Sequence, residues 1–295
     1  MPNSCSEQPR PSKRRKPNQK RANNSESRYF QRPKRTGDVI DDGVPPHEHA
    51  AYLLAQPTWT AKSRYFPAPQ VDLHTLMSDT AFLCFQEEVV RAMHELYEAK
   101  PILIQEHVAA SPWKVLVAVT LLNKTAGKKS IPVFFEIMDR WPTPAALADA
   151  PMTLLHEMIK DLGLGELRSS RLVALSRTYL ADPPVPGQLR RSRGKMLLPA
   201  ADGTGTTEVQ YPPTPISHLP GCGPYALDSY RIFCAGGSEW KAVRPRDKEL
   251  VKYLQWKWAI EEYRQWDPLL GPGHTIDLDY IRSMTASLAQ NPIAH

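Results

Sequence analysis

From Thr80 onward the apolar residues of this 295-residue chain recur mostly three and four positions apart. Phe82, Leu83, Val89, Val90, Met93, Leu96 and Tyr97 follow that spacing, and Ser78-Asp79 ahead of them can accept from the free N–H groups of a first turn. A helix is therefore predicted from about Thr80 to Ala99. Pro112-Trp113 opens a second one through Val115, Leu116, Val119 and Leu122, proline being tolerated where its missing N–H has no helical partner anyway. Further helical runs are expected at about 131–140, 144–148, 151–161 and 167–180, separated by Trp141-Pro142-Thr143-Pro144 and Leu162-Gly163-Leu164-Gly165. Another starts after Asp247 and carries Leu250, Tyr253, Leu254 and Trp258. Strict apolar–polar alternation is scarce, so the body reads as all-α.

Three stretches depart from this pattern. Residues 1–60 are rich in Pro, Ser, Asn, Lys and Arg with little apolar periodicity, and read as a disordered basic tail. Residues 181–215 hold Pro183-Pro184-Val185-Pro186-Gly187, the basic cluster Arg190-Arg191-Ser192-Arg193, Gly203-Thr204-Gly205-Thr206-Thr207 and Pro212-Pro213. They read as a long loop insertion, solvated or in contact with phosphate, in a domain spanning about 75–265. Residues 266–295, with Gly271-Pro272-Gly273, read as a loosely packed C-terminal tail in which Ile276 to Leu288 can form one more helix.

Charge sharpens this division. The net +6 is concentrated at the amino end: residues 1–36 carry eleven Lys and Arg against Glu7 and Glu26, which leaves the remainder at −3. A body without overall positive charge binds nucleic acid only through a local positive face. Within the tail, Ser12-Lys13-Arg14-Arg15-Lys16-Pro17 matches a nuclear import signal and Lys34-Arg35 is a weaker second cluster, so a nuclear location is expected. No apolar run approaches the ~20 residues of a membrane span, and no membrane partner is expected. Cys5, Cys84, Cys222 and Cys234 are scattered without a Cys-x-x-Cys pair, which argues against a zinc ribbon or a four-cysteine iron–sulfur site. No metal or cofactor is expected.

The candidate chemistry lies in Leu219-Pro220-Gly221-Cys222-Gly223-Pro224-Tyr225, followed by Asp228-Ser229-Tyr230-Arg231-Ile232-Phe233 and, some twenty residues on, Asp247. A Gly-x-Gly hairpin between helices brings bare backbone N–H groups against a phosphate. An aspartate heading the next helix is an N-cap or a catalytic carboxylate, and the two roles are compatible. Together these residues resemble the helix-hairpin-helix DNA glycosylases. Pro112-Trp113-Lys114, Leu121 to Lys128, Asp228 to Cys234 and Glu239-Trp240-Lys241 are similar to the thymine glycosylase domain of methyl-CpG-binding-domain glycosylases. The resemblance runs from about Pro101 to Trp258.

It implies a two-lobed all-α fold without an iron–sulfur cluster, acting as a monomer on double-stranded DNA that carries a mismatched or deaminated base. Asp247 takes the catalytic position, where a fixed carboxylate stabilises oxocarbenium character at the sugar as the base leaves. Tyr225 stands where bifunctional relatives carry a lysine, and a phenol cannot form a Schiff base, so the strand is expected to stay intact. Gln105 aligns with a glutamine that reads a pyrimidine edge, and with Tyr225 it would hold the flipped base. Leu122, Asn123 and Lys124 take the strand-probing positions, Gly221 and Gly223 the phosphate clamp. Two positions depart from the family. Lys124 replaces a gap-filling arginine, losing the planar guanidinium, and Glu249 replaces a lysine.

The function so implied is a monofunctional DNA glycosylase removing thymine or uracil from G·T and G·U mismatches in base excision repair. Two alternatives stay open: a glycosylase for another base such as adenine, and a non-enzymatic DNA-binding or scaffold protein with a degenerate site. A core tyrosine at 225, a polar loop residue at 105, core packing at Leu122, and a structural hydrogen bond or ion pair at Asp228, which lies near Arg231, are the plainer readings of the same residues.

Overall fold

The computed structural model describes residues 72–200 and 205–289. The 1–60 tail with its basic clusters at 12–17 and 34–35 lies outside the described residues. One turn of helix, α1 (Leu73–Leu76), forms part of a separate unit and is closed by the carboxylate of Asp72, which accepts from the His74 N–H at 3.2 Å. The main body begins at Met77. Its helices are α2 (Thr80–Glu98), α3 (Ile104–His107), α4 (Pro112–Leu122), α5 (Gly127–Arg140), α6 (Pro144–Ala148), α7 (Met152–Ile159), α8 (Gly165–Ala181), α9 (Pro224–Phe233), α10 (Lys248–Glu261) and α11 (Leu278–Ala289).

The helix starts follow from local chemistry. Asp79 Oδ1 accepts from the Ala81 N–H at 2.8 Å, Ser111 Oγ from Lys114, and Thr143 Oγ1 from Ala146, with proline in the first turn of α4 and α6. Each such cap contributes about 1 kcal/mol. Helix α4 is the central one. Trp113, Val115 to Val119 and Leu121 are all buried, so the helix is apolar all round rather than striped. Its one buried polar atom of note, Trp113 Nε1, donates to Ser176 Oγ at 3.1 Å.

Helix α2 departs from its predicted stripe. Ala92 and Leu96 are buried, whereas Leu83, Val90 and Tyr97 are exposed. The carboxyl-terminal half of α2 supplies its buried residues, which join Trp256, Ala259, Ile281 and Met284 in one apolar cluster. A larger cluster surrounds α4 and takes in α5, α8 and α9. A third joins Leu103 and Ile232 to Trp240, Leu254, Trp258 and Trp266.

The body is mostly helical but not all-α, and the expected 181–215 loop is not structureless. Lys195–Pro199 (β1) and Thr206–Gln210 (β2) pair antiparallel with Met196 opposite Val209 and Leu198 opposite Thr207. Met196, Leu198 and Val209 turn onto the α4 cluster. Burial does not alternate along either strand, with Met196 to Leu198 all at least half-buried in β1 and Val209 alone in β2, so neither registers as a period of two in the sequence. A bridge between Arg190 and Thr214 closes the base of the insertion.

Residues 266–289, expected as a loosely packed tail, are also ordered into the body. Arg264–Asp267 (β3) pairs with Gly271–Thr275 (β4), and Trp266, Ile281 and Met284 are buried. The turn between β3 and β4 is closed by the Asp267 carboxylate, which accepts from the Leu269 and Leu270 N–H groups at 2.8 Å each. Among the described residues no helix is long and apolar enough to cross a membrane.

Candidate active site

The Gly-x-Gly hairpin enters α9 directly. Its upstream arm is a hydrogen-bonded turn rather than the expected helix: Leu219 N–H donates to Ile216 O at 3.0 Å and Cys222 N–H to Leu219 O at 3.4 Å. Proline-rich sequence at 212–215 leaves too few free N–H groups for more than a turn there. Gly221 has φ +81°, which the absence of a Cβ makes cheap. Gly223 precedes Pro224 without any side-chain cap on α9, so the first N–H groups of this helix are left for a ligand or solvent.

Helix α9 carries Tyr225 into the protein, where it packs against two apolar clusters, the one around α4 and the one containing Leu103 and Trp258. Gln105, on the short helix α3, is buried and donates from Nε2 to Tyr225 Oη at 2.9 Å. Burial, followed by the nearby Asp247 charge, pushes the Tyr225 phenol up, so it keeps its proton. Helix α3 is tied to α10 by Glu106, whose Oε1 accepts from Tyr253 Oη at 3.0 Å and Lys100 Nζ at 2.6 Å.

Asp247 is the N-cap of α10: its Oδ1 accepts from the Glu249 and Leu250 N–H groups, both at 3.1 Å. Its Oδ2 makes no hydrogen bond among the described residues. The cap thus fixes the carboxylate and leaves one oxygen unengaged. Gln105, Tyr225, Asp247 and Leu122 line one cavity of about 330 Å³, with Lys128, Glu249 and Lys252 at its wall. Glu249, the residue that departs from the family pattern, lies 3.4 Å from Lys252 and 3.6 Å from Lys248, so its charge is balanced locally.

Other expected site residues fall outside that lining. Asn123 and Lys124 are exposed on the α4–α5 turn, and Gly221 and Gly223 are not part of the cavity wall. Lys124 has φ +60°, a left-handed conformation uncommon for a residue with a Cβ. The turn is held by Arg168, which sequence reasoning missed. Its buried guanidinium donates to Asn123 O at 2.5 Å, Thr125 Oγ1 at 2.7 Å, Leu162 O at 2.8 Å and Gly163 O at 3.0 Å. Burial lowers its pKa. The signal was present, because Arg168 shares the helical stripe of Leu172 and Leu175 and is a charge on a core face.

Outside the cavity lining, Asp228 on α9 accepts from Tyr211 Oη at 2.7 Å, and the Arg231 guanidinium lies 6.0 Å from the Tyr211 ring. Desolvation outweighs these contacts and raises the Asp228 carboxyl to about 7. Of the two structural roles expected for Asp228, the hydrogen bond is formed, to Tyr211, and the ion pair is not: Arg231 pairs with Glu239 at 3.1 Å. Cys222 and Cys234 are free, with burial pushing both thiols up to about 12.

No protein-family model matches the chain. A thymine/uracil-DNA glycosylase of Pyrobaculum aerophilum is 30% identical over 157 residues, 53% of this chain and 57% of that protein. A methyl-CpG-binding domain protein 4-like protein of Arabidopsis thaliana is 28% identical over 162 residues, covering 55% of this chain and 29% of its own length. A thymine-DNA glycosylase of Aeropyrum pernix is 38% identical over 68 residues, 23% of this chain and 30% of that protein. Over about half its length, then, the chain is similar to thymine/uracil-DNA glycosylases. It spans less than two thirds of each of these relatives, so the similarity concerns a region of the chain.

Proposed function

We propose that the chain is a monofunctional DNA glycosylase that removes thymine or uracil from G·T and G·U mismatches in duplex DNA. The observation that carries this reading is the meeting of Gln105 with Tyr225 and Asp247, more than a hundred residues further along the chain, around one cavity. Its volume of about 330 Å³ lies at the small end of ligand sites, as suits a single flipped base. With Nε2 on Tyr225, the Gln105 Oε1 accepts from a pyrimidine N3–H, and the protonated Tyr225 hydroxyl donates to a base carbonyl. Asp247 Oδ2 faces the sugar, stabilises positive charge as the N-glycosidic bond breaks and orients the attacking water. The pyrimidine leaves as an anion held by the same hydrogen bonds. Lys124, held in a strained conformation on an anchored turn, fills the place of the extruded base, and the uncapped start of α9 with Gly221 and Gly223 takes a phosphate. The reaction uses no cofactor, and the enzyme works as a monomer in the nucleus.

Single-turnover assays on labelled duplexes with G·T, G·U, G·C and A·T pairs test the reading. Breaks confined to G·T and G·U that appear only after hot alkali are expected. Three lysines, Lys128, Lys248 and Lys252, line the cavity, so borohydride trapping is the sharper arm. A trapped covalent complex, or breaks without alkali, would refute the monofunctional assignment; absence of cleavage on all four duplexes would refute the enzyme.

A further inference from the structure

The 181–215 insertion has no place in the chemistry just described, yet it is built against the hairpin. A Cβ placed on Gly194 would meet Pro224 Cγ and Cδ at 3.3 Å, so the backbone just before β1 lies against the first residue of α9. That segment is fixed rather than loose. Gln210 Nε2 donates to Ser192 O at 2.5 Å and Gly194 O at 2.9 Å, and Tyr211 N–H donates to Gly194 O at 2.9 Å. Arg190 exchanges two backbone hydrogen bonds with Thr214, at 3.0 and 3.2 Å, and Ser192 between them is buried.

Four of the six residues 190–195 are basic, and their charges divide in two. Arg190 is paired with Asp182 at 2.8 Å and Lys195 with Glu208 at 3.1 Å. Arg191 and Arg193, on either side of buried Ser192, are exposed and have no acidic partner among the described residues. Consecutive Cα atoms are about 3.8 Å apart, so Arg193 starts one residue from the contact with Pro224. Across the hairpin, a Cβ on Gly221 would lie 3.8 Å from Cδ of Arg171, an exposed residue of α8 likewise without an acidic partner among the described residues. Uncompensated arginines therefore flank both sides of the Gly221–Gly223 turn, in a body whose overall charge is negative.

We propose that the insertion is a second phosphate-binding element, in which Arg191 and Arg193 extend the track of the Gly221–Gly223 hairpin along the backbone of duplex DNA. It rests on the glycosylase reading above. The contacts are to phosphate and carry no base information, so they set affinity and register rather than the choice of base. The element supplies the local positive face that the body's net charge does not.

The experiment is equilibrium binding of the full chain to a matched G·C duplex, which is not cleaved, between 50 and 200 mM salt. For the Arg191→Ala/Arg193→Ala double variant we expect the slope of log K against log salt to fall by about 1.8, roughly 0.9 per phosphate contact, with about tenfold weaker binding at 100 mM. The single-turnover rate on G·T at saturating enzyme stays unchanged, and an Arg191→Lys/Arg193→Lys variant keeps the slope. An Arg140→Ala/Arg264→Ala variant, which loses the same charge on other elements, separates local contact from bulk charge. An equal fall in that control overturns the inference. An unchanged slope in the double variant with normal cleavage overturns the inference and leaves the glycosylase standing. A wild-type chain that neither binds nor cleaves duplex DNA removes both.

Discussion

Residues 219–247 and residues 181–215 meet at Pro224, yet only the first could be read in advance. In the hairpin stretch the backbone and the chemistry make demands at single positions: a glycine at φ +81°, a proline in the first turn of α9, an aspartate that caps α10. Each demand selects a residue type, so the sequence displays it. In the insertion, order comes from side chains reaching across the chain to backbone carbonyls, as Gln210 does to Ser192 and Gly194. Such contacts join residues sixteen and eighteen positions apart and place no periodic mark on the sequence. Local constraint is legible, and long-range satisfaction of polar groups is not.

The largest expected effect tests whether Asp247 is chosen for its cap or for its charge. Asparagine caps a helix about as well as aspartate, so Asp247→Asn should leave the urea midpoint almost unmoved while cleavage at G·T falls by about 10³. Asp247→Ala should lose activity similarly and about 1 kcal/mol of stability as well. If Asp247→Asn kept full activity, the cap alone would explain the residue, and the hairpin stretch would be as mute about function as the insertion.

Arg168 is a case between the two. It lies on a helical core stripe, which is local information, but its donors serve carbonyls forty-five residues away and six residues away. Arg168→Met would leave the carbonyls of Asn123, Leu162 and Gly163 without these donors, at an expected cost of about 3 kcal/mol in chemical denaturation. Arg168→Lys restores charge but not the fork, and should recover only part of it. Because the same turn carries Lys124, mismatch binding should weaken in both variants before global stability fails at assay temperature.

The sequence showed the order of the helices, the hairpin and four of the residues that line the cavity. It hid the strands of the insertion, since burial does not alternate along them, and it hid α3, whose four residues are too short for any helical period. Gln105 was reached only by alignment with a family, because one buried glutamine on a single helical turn has no physical signature in sequence. Tyr211 belongs to the same hidden class: it stands among prolines, and only the folded chain brings it to Asp228.

The bond from Tyr211 to Asp228 joins the two regions, and pH provides a graded test of it. The Asp228 carboxyl is raised to about 7 by burial, from an ordinary value near 4. Between those values the folded chain holds a proton that the unfolded chain has released, so this group's contribution to stability is present at low pH and declines until about pH 7. Tyr211 donates to the carboxyl and so favours its charged form, opposing the effect of burial. At pH 5 the lost bond in Tyr211→Phe is between neutral groups and should cost about 1 kcal/mol in urea denaturation. At pH 8 it is charge-assisted, and the cost should rise to about 2 kcal/mol. A penalty independent of pH would mean that Asp228 does not titrate in this range.

The smallest effect concerns the exposed rim of the insertion. Lys195 and Glu208 form an ion pair at 3.1 Å with both side chains more than half exposed. Solvent screening leaves such a pair worth less than about 0.5 kcal/mol, so Glu208→Gln should not move the urea midpoint measurably. It does release Lys195, one residue beyond Gly194, from its acidic partner. If the basic segment tracks DNA as proposed, this variant should bind the G·C duplex slightly more tightly and with a steeper salt dependence, the opposite sign to loss of Arg191 and Arg193. A change in stability without a change in salt slope would instead mark the pair as a strut of the β1–β2 hairpin. The insertion would then be scaffold at its rim, whatever its arginines do at its base.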